Sequence, residues 1–311
     1  MLALLPGLYL GWGVGANDAA NTFGPQIGAN IISYRRAVVL AAVFAFLGAV
    51  VEGQKVFGVL GRLTPLSLEM SVVAALSAAV VVNALTLYGM PISTSHAIVG
   101  ALVAVGLIQR TGFHAPSLVR VAVSMVTAPV GAGVLAYALY RALAAVSARR
   151  LGTTLAFQQT VRVAGVLVGC YAAYALGSNN VGNAMAPFVA VGLVSPAAAA
   201  TLGGLAIAAG VLTFSRRVIM LVGRQITALD PVSALVAAAA TALTTHLFTQ
   251  VGVPVSTSQA IVGAVAGVGL TKGMVAVNLR LIWLIPVTWM ASVAASSAIA
   301  FVLFEVYALL R

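Results

Sequence analysis

The sequence predicts an all-α integral membrane protein made of two inverted-topology repeats, each with a broken helix, full transmembrane spans and a re-entrant helical hairpin. Three observations lead there. Of 311 residues, 62% are hydrophobic and 7% charged, with a mean hydropathy of +1.11, far outside the globular range. Apolar stretches of about 20 residues recur, each enough to cross a ~30 Å hydrocarbon core as a helix, and the short alternating strands of a barrel are missing. Finally, the chain is written twice. "PISTSHAIVGALVAVGL" (Pro91 to Leu107) returns as "PVSTSQAIVGAVAGVGL" (Pro254 to Leu270), identical at 12 of 17 positions at an offset of 163. "GANDAANTFGP" (Gly15 to Pro25) has a weaker echo in "GSNNVGNAMAP" (Gly177 to Pro187) at an offset of 162. The shared offset makes these one duplication, with a first repeat over 1–150 and a second over 151–311 meeting at "SARRLGTT".

Each half reads in the same order. A long apolar segment interrupted by the Gly/Asn motif (about 2–31 and 160–192) is followed by a complete span (about 37–57 and 196–214). Two apolar pieces of about 15 to 19 residues then meet at Pro-x-Ser-Thr-Ser (about 70–108 and 232–270), and a last span closes the half (about 119–143 and 281–308). Pieces that short, joined through Gly-Met-Pro or Gly-Val-Pro without a polar loop, predict a hairpin dipping into the membrane rather than two crossings.

Charge supports inversion. If the first segment enters from outside, Arg35, Arg36, Arg141, Arg149, Arg150, Arg162, Arg216, Arg217, Arg224, Lys272 and Arg280 are cytoplasmic, 11 of the 16 basic residues. Lys55, Arg62, Arg110, Arg120 and Arg311 count against it. The net charge of +11 is thus a topology signal at a cell membrane and not a nucleic-acid footprint. Cys170 excludes an internal disulfide and is expected to pack, and no basic n-region precedes the first apolar stretch, so a cleavable leader is not expected.

The polar residues are few and concentrated. Asn17, Asp18 and Asn21, with Asn179, Asn180 and Asn183 in the second copy, interrupt apolar helix. They can cap freed backbone groups, but an intramembrane carboxylate is expensive unless paired. Carboxylate, amide and backbone carbonyl oxygens are the ligands a hard cation such as Na⁺ takes, and a protonated Asp18 in a proton-coupled cycle is the competing reading. Ser93, Thr94 and Ser95 follow Pro91, and Ser256, Thr257 and Ser258 follow Pro254, at N-cap and first-turn positions of two half-helices. Simple N-capping accounts for part of this. Two such N-termini meeting near the midplane would also make an anion site without a formal positive charge. His96 and its counterpart Gln259 can each donate a hydrogen bond there; Gln26, Thr86, Thr249 and Gln250 are weaker candidates, and His114 and His246 are assigned no chemistry.

Catalysis is not expected. No nucleophile is paired with a base, no transition-metal spacing occurs, and no Gly-x-x-x-x-Gly-Lys loop binds nucleotide, so movement of a substrate must be driven by a gradient and without a cofactor.

"GANDAAN" with "GSNNVGN", and "PISTSH" with "PVSTSQ", resemble the PiT family of inorganic phosphate transporters over essentially the full length. The resemblance implies phosphate import by symport with Na⁺ or H⁺, although some bacterial members are sulfate permeases. It implies that Asp18, Asn21 and Asn183 hold coupling cations and that the Ser-Thr-Ser hydroxyls contact phosphate. Many relatives have an aspartate in both motifs, where this chain carries Asn180, which puts a symmetric pair of sodium sites in doubt. A passive pore of the aquaporin kind is the alternative from another class, but it calls for Asn-Pro-Ala tips. Membrane lipid is the expected surroundings, and a homodimer is compatible with the sequence without being encoded in it.

Overall fold

In the computed structural model, residues 2–90, 92–150, 155–221, 229–272 and 279–309 are described. Their regular structure is helical, with no strand among the described residues, and seven of the helices are long and apolar enough to cross a membrane. Pro91, residues 151–154 of the repeat junction, Arg224 and Arg311 lie outside the described residues.

A 3-10 turn (Leu2–Leu4) leads into α1 (Leu5–Asp18), which is followed after Ala19 by α2 (Ala20–Gly28). The expected break is thus a single residue. Its cause is local, because the Thr22 hydroxyl donates to the Ala19 carbonyl at 2.7 Å while Thr22 N bonds the same oxygen at 3.2 Å, tightening the turn. The second copy departs from expectation: α8 (Leu155–Ala190) runs unbroken through Asn179, Asn180 and Asn183. The position equivalent to Thr22 is Ala184, which has no hydroxyl to compete for the carbonyl.

The first repeat continues with α3 (Tyr34–Glu52), a 3-10 turn (Gly53–Val56), α4 (Phe57–Gly61), α5 (Leu68–Leu87), α6 (Thr94–Gln109) and α7 (Ala115–Arg150). The second has α9 (Pro196–Phe214), α10 (Arg216–Leu221), α11 (Pro231–Gln250), α12 (Thr257–Thr271) and α13 (Leu279–Leu309). The hairpin arms are unequal, contrary to the sequence reading. α5 and α11 have 20 residues each, about 30 Å at 1.5 Å per residue and long enough to cross, whereas α6 and α12 have 16 and 15. Between them, among the described residues, lies a surface turn and then non-helical chain that ends at the extended N-cap residues Ser93 and Ser256 in the interior. Gly89 and Gly252 occupy that turn at φ +74° in both copies, a conformation that side chains resist.

Contacts between the halves are swapped. α1 packs on α9 and α3 packs on α8, each through a glycine held against backbone. A Cβ on Gly15 would fall on the Ile207 carbonyl, and one on Gly177 on the Ala45 carbonyl; Ala45 and Ile207 are themselves 162 apart. Close approach through small residues is how membrane helices gain packing energy without a hydrophobic drive. It sets the two Asn-bearing helices side by side, their polar residues facing inward.

Candidate functional site

The site forms where these helices meet the two Ser-Thr-Ser segments. Asn17 anchors the first. Its Nδ2 donates to Thr86 Oγ1 at 2.9 Å and to the Met90 carbonyl at 3.0 Å, and its Oδ1 accepts from Ile92 N at 3.1 Å. Asn179 repeats this, donating to Thr249 Oγ1 at 2.9 Å and the Val253 carbonyl at 3.2 Å and accepting from Val255 N at 2.8 Å. An extended segment has no partner strand inside a helix bundle, so its backbone groups need side chains of this kind.

Ser93 and Ser256 cap α6 and α12, accepting from His96 N and Gln259 N, both at 3.2 Å. Ser93 Oγ also bonds His96 Nδ1, and the imidazole stacks on Trp289 with centroids 6.2 Å apart. These two serines and His96 are therefore spent largely on local order. Thr94, Ser95, Thr257 and Ser258 instead reach across the repeats. Ser95 Oγ donates to the Val255 carbonyl at 3.1 Å and Ser258 Oγ to the Ile92 carbonyl at 2.8 Å, which brings the two tips into contact. Asn21 Nδ2 donates to Thr257 Oγ1 at 3.2 Å and Ser258 Oγ at 2.9 Å, while Asn183 Nδ2 donates to Thr94 Oγ1 at 3.4 Å and Ser95 Oγ at 3.0 Å. The asparagine of each repeat thus grips the tip of the other.

The symmetry fails at one pair. Asp18 accepts from Thr94 Oγ1 at 2.7 Å and from Asn180 Nδ2 at 2.8 Å, both on Oδ2, with Ser258 Oγ at 3.5 Å from Oδ1. Asn180 Nδ2 also lies 3.5 Å from Thr257 Oγ1. Asp18 is only 1% exposed, and the ion pairs among the described residues, Lys55–Glu52, His246–Glu52 and Lys272–Asp230, do not include it. The carbonyl oxygens of Asn180 and Asn183 and of Gln259 are buried without a hydrogen-bond partner among the described residues. Carboxylate and amide oxygens are the kind of donor that a hard cation takes.

A profile of the phosphate transporter family matches residues 14–300. The chain belongs to that family. It is 28% identical to a protein of Chlamydia muridarum, covering 97% of this chain and 96% of the relative, and 27% identical to one of Pyrococcus furiosus at 98% and 95%. Both carry the name phosphate permease as a provisional assignment. A solved structure named as the sodium-dependent phosphate transporter superposes over 100% of this chain and 99% of its own with a TM-score of 0.87, at 23% identity. The protein is accordingly a multi-pass membrane transporter and not an enzyme.

All fourteen residues singled out from sequence are buried and lie on α1, α2 and α8 or at the two tips. Of the weaker candidates, Thr86 and Thr249 prove to be the anchors of Asn17 and Asn179, and Gln26 is fully buried with both amide atoms unpartnered among the described residues. Gln250 lies elsewhere, donating to Glu52 beside His246 and Lys55. Sequence reasoning missed the carbonyls of Ile92 and Val255, since backbone atoms leave no mark in composition. It also missed the stacked Trp289.

Proposed function

We propose that this chain imports inorganic phosphate by cation symport, with Na⁺ as the favoured coupling ion, through alternating access between two inverted repeats. The observation that carries the reading is Asp18: a buried carboxylate held by hydroxyl and amide donors, with no basic partner among the described residues, where the two tips touch. A cation would neutralise it, with the free carbonyl oxygens of Asn180 and Asn183 completing the coordination. The name of the structural neighbour supports sodium as that cation.

Phosphate would be bound by the N-termini of α6 and α12. The N–H groups of Thr94, Ser95, Thr257 and Ser258 lie in first turns, where a helix offers no internal acceptor, and both dipoles place positive potential there. Hydroxyls now bridging the tips would turn to the anion as it arrives. Asn17 and Asn179 act in this reading as positioning residues that hold the extended segments, a narrower part than cation contact. Binding without a fixed Lys or Arg keeps release possible, because a permanent ion pair in low dielectric is hard to leave. Exchange of the swapped contacts between Asn21 and Asn183 would accompany rocking of the two halves.

Uptake of labelled phosphate into proteoliposomes, with Na⁺ and pH gradients imposed separately, tests this. Saturable uptake driven by the Na⁺ gradient is expected. Uptake indifferent to both gradients would overturn the symport, and preferential competition by sulfate would overturn the substrate.

A further inference from the structure

Basic residues that break the positive-inside pattern should be rare, yet Lys55, Arg62, Arg110 and Arg120 all do so. The structure gathers three of them. Lys55 (in the turn after α3), Arg62 (after α4) and Arg120 (in α7) line one cavity of about 320 Å³ together with His114 and the surface turn at Val251 and Gly252. We propose that this cavity is a capture site for the phosphate oxyanion ahead of the central site, a role that rests on the import reading above.

Four features support it. First, the positive charge is largely uncancelled. Glu52 is the carboxylate paired with Lys55 at 3.0 Å, but it is also held by His246 at 2.8 Å and by Gln250, and no ion pair among the described residues includes Arg62 or Arg120. Second, the N-terminus of α7 opens here. His114 Nδ1 accepts from Ser117 N at 3.3 Å and bonds Ser117 Oγ at 3.0 Å, fixing the ring at the first turn of the helix. Third, the scale fits: a sphere of that volume is about 8 Å across, roughly one Debye length at physiological salt, so an anion inside feels all three cationic groups with little screening. Fourth, the cavity is tied to the tip. A Cβ on Gly252 would meet the Lys55 carbonyl at 2.9 Å, so the turn is seated against Lys55, and the chain reaches Ser256 four residues later, at most about 14 Å away. The duplication repeats the arrangement in part at the other turn, where Arg217, the counterpart of Lys55 at the 162 offset, donates to the Leu87 carbonyl.

A cationic funnel beside the path raises local anion concentration and the rate of arrival without adding to the chemistry of translocation. The test compares phosphate uptake by the wild type, R62Q/R120Q and the charge-retaining R62K/R120K in proteoliposomes, over a series of ionic strengths. The glutamine variant is expected to show KM raised on the order of five-fold at low ionic strength with kcat unchanged, the gap closing as salt rises. The lysine variant is expected to keep the wild-type KM. Equal KM values for all three proteins, or a lysine variant as weak as the glutamine one, would overturn the proposal. The measurement is repeated in vesicles of phosphatidylcholine alone and with phosphatidylglycerol. A KM ratio that persists in both supports capture of free phosphate. One confined to phosphatidylglycerol vesicles, with a matching loss of lipid-dependent thermal stability, assigns the cavity to a lipid headgroup and overturns it. Failure of the symport reading shows differently, as wild-type uptake indifferent to both cation gradients.

Discussion

Asp18→Asn isolates one charge. The amide oxygen can take the place of Oδ2 and keep the bonds from Thr94 and Asn180, and the new NH₂ faces Ser258 Oγ, which lies 3.5 Å from Oδ1. The fold is therefore retained while the negative charge is lost. Removing one partner of a buried ion pair costs about 3 to 5 kcal/mol, roughly a hundred- to several-thousand-fold in cation affinity. Thermal unfolding in detergent reads this directly. With Na⁺ at about a hundred times its Kd the wild type gains about 2.7 kcal/mol, whereas a hundred-fold weaker variant gains about 0.4 kcal/mol at the same concentration. Phosphate uptake is expected to lose its Na⁺ dependence in parallel. A variant with the wild-type sodium shift and full coupled uptake would show that Asp18 is only a helix-end cap, and the reasoning would fail.

Three further outcomes are expected. Gly15→Ala and Gly177→Ala each drive a methyl into a carbonyl of the opposing repeat and are expected to destabilise the fold by about 1 to 3 kcal/mol or more, read as a lowered melting temperature, whereas Gly58→Ala, with open space around it, is expected to be neutral or slightly stabilising. Asn21→Ala and Asn183→Ala each remove two contacts to the other repeat's tip, at about 1 to 3 kcal/mol for the buried groups left behind, and both are expected to cut phosphate uptake at least ten-fold; a large loss from one alone would contradict the pseudo-symmetric assignment. Asp230, the N-cap of α11, is partly buried, which opposes its charge, yet hydrogen bonds from Lys272 and Ser233 hold it below the usual carboxylate range. That stabilisation is full above the unfolded carboxylate value of roughly 3.9 and is lost as pH falls through the lower folded value, so Asp230→Ala is expected to cost about 1 kcal/mol near neutral pH and to flatten melting temperature against pH in that acid window.

The repeat could be read in advance because it is written in side chains. Asn17 and Asn179, Asn21 and Asn183, and Ser95 and Ser258 keep their offsets in the sequence and their partners in space. What the offsets do not encode is which copy touches which. That Gly15 packs on Ile207 rather than within its own half follows from complementarity of whole helix faces, which a repeat of 162 residues leaves open. The unbroken α8 turns on one hydroxyl, Thr22 against Ala184, too small a difference to register in an apolar pattern. The unequal hairpin arms were hidden because Leu87, Tyr88 and Met90 are apolar yet exposed at the turn, so hydropathy could not separate turn from helix. The cluster of Glu52 with His246 joins positions 194 apart with no motif to connect them.

Joint crossing of phosphate and a cation can be read by running the cycle from the other ligand. Proteoliposomes holding equal sodium on both sides are given an inward phosphate gradient, and labelled sodium is followed. Coupled movement predicts that sodium accumulates inside against no gradient of its own, and that Asp18→Asn abolishes the accumulation. Phosphate entering while labelled sodium merely equilibrates at its background rate would contradict the account.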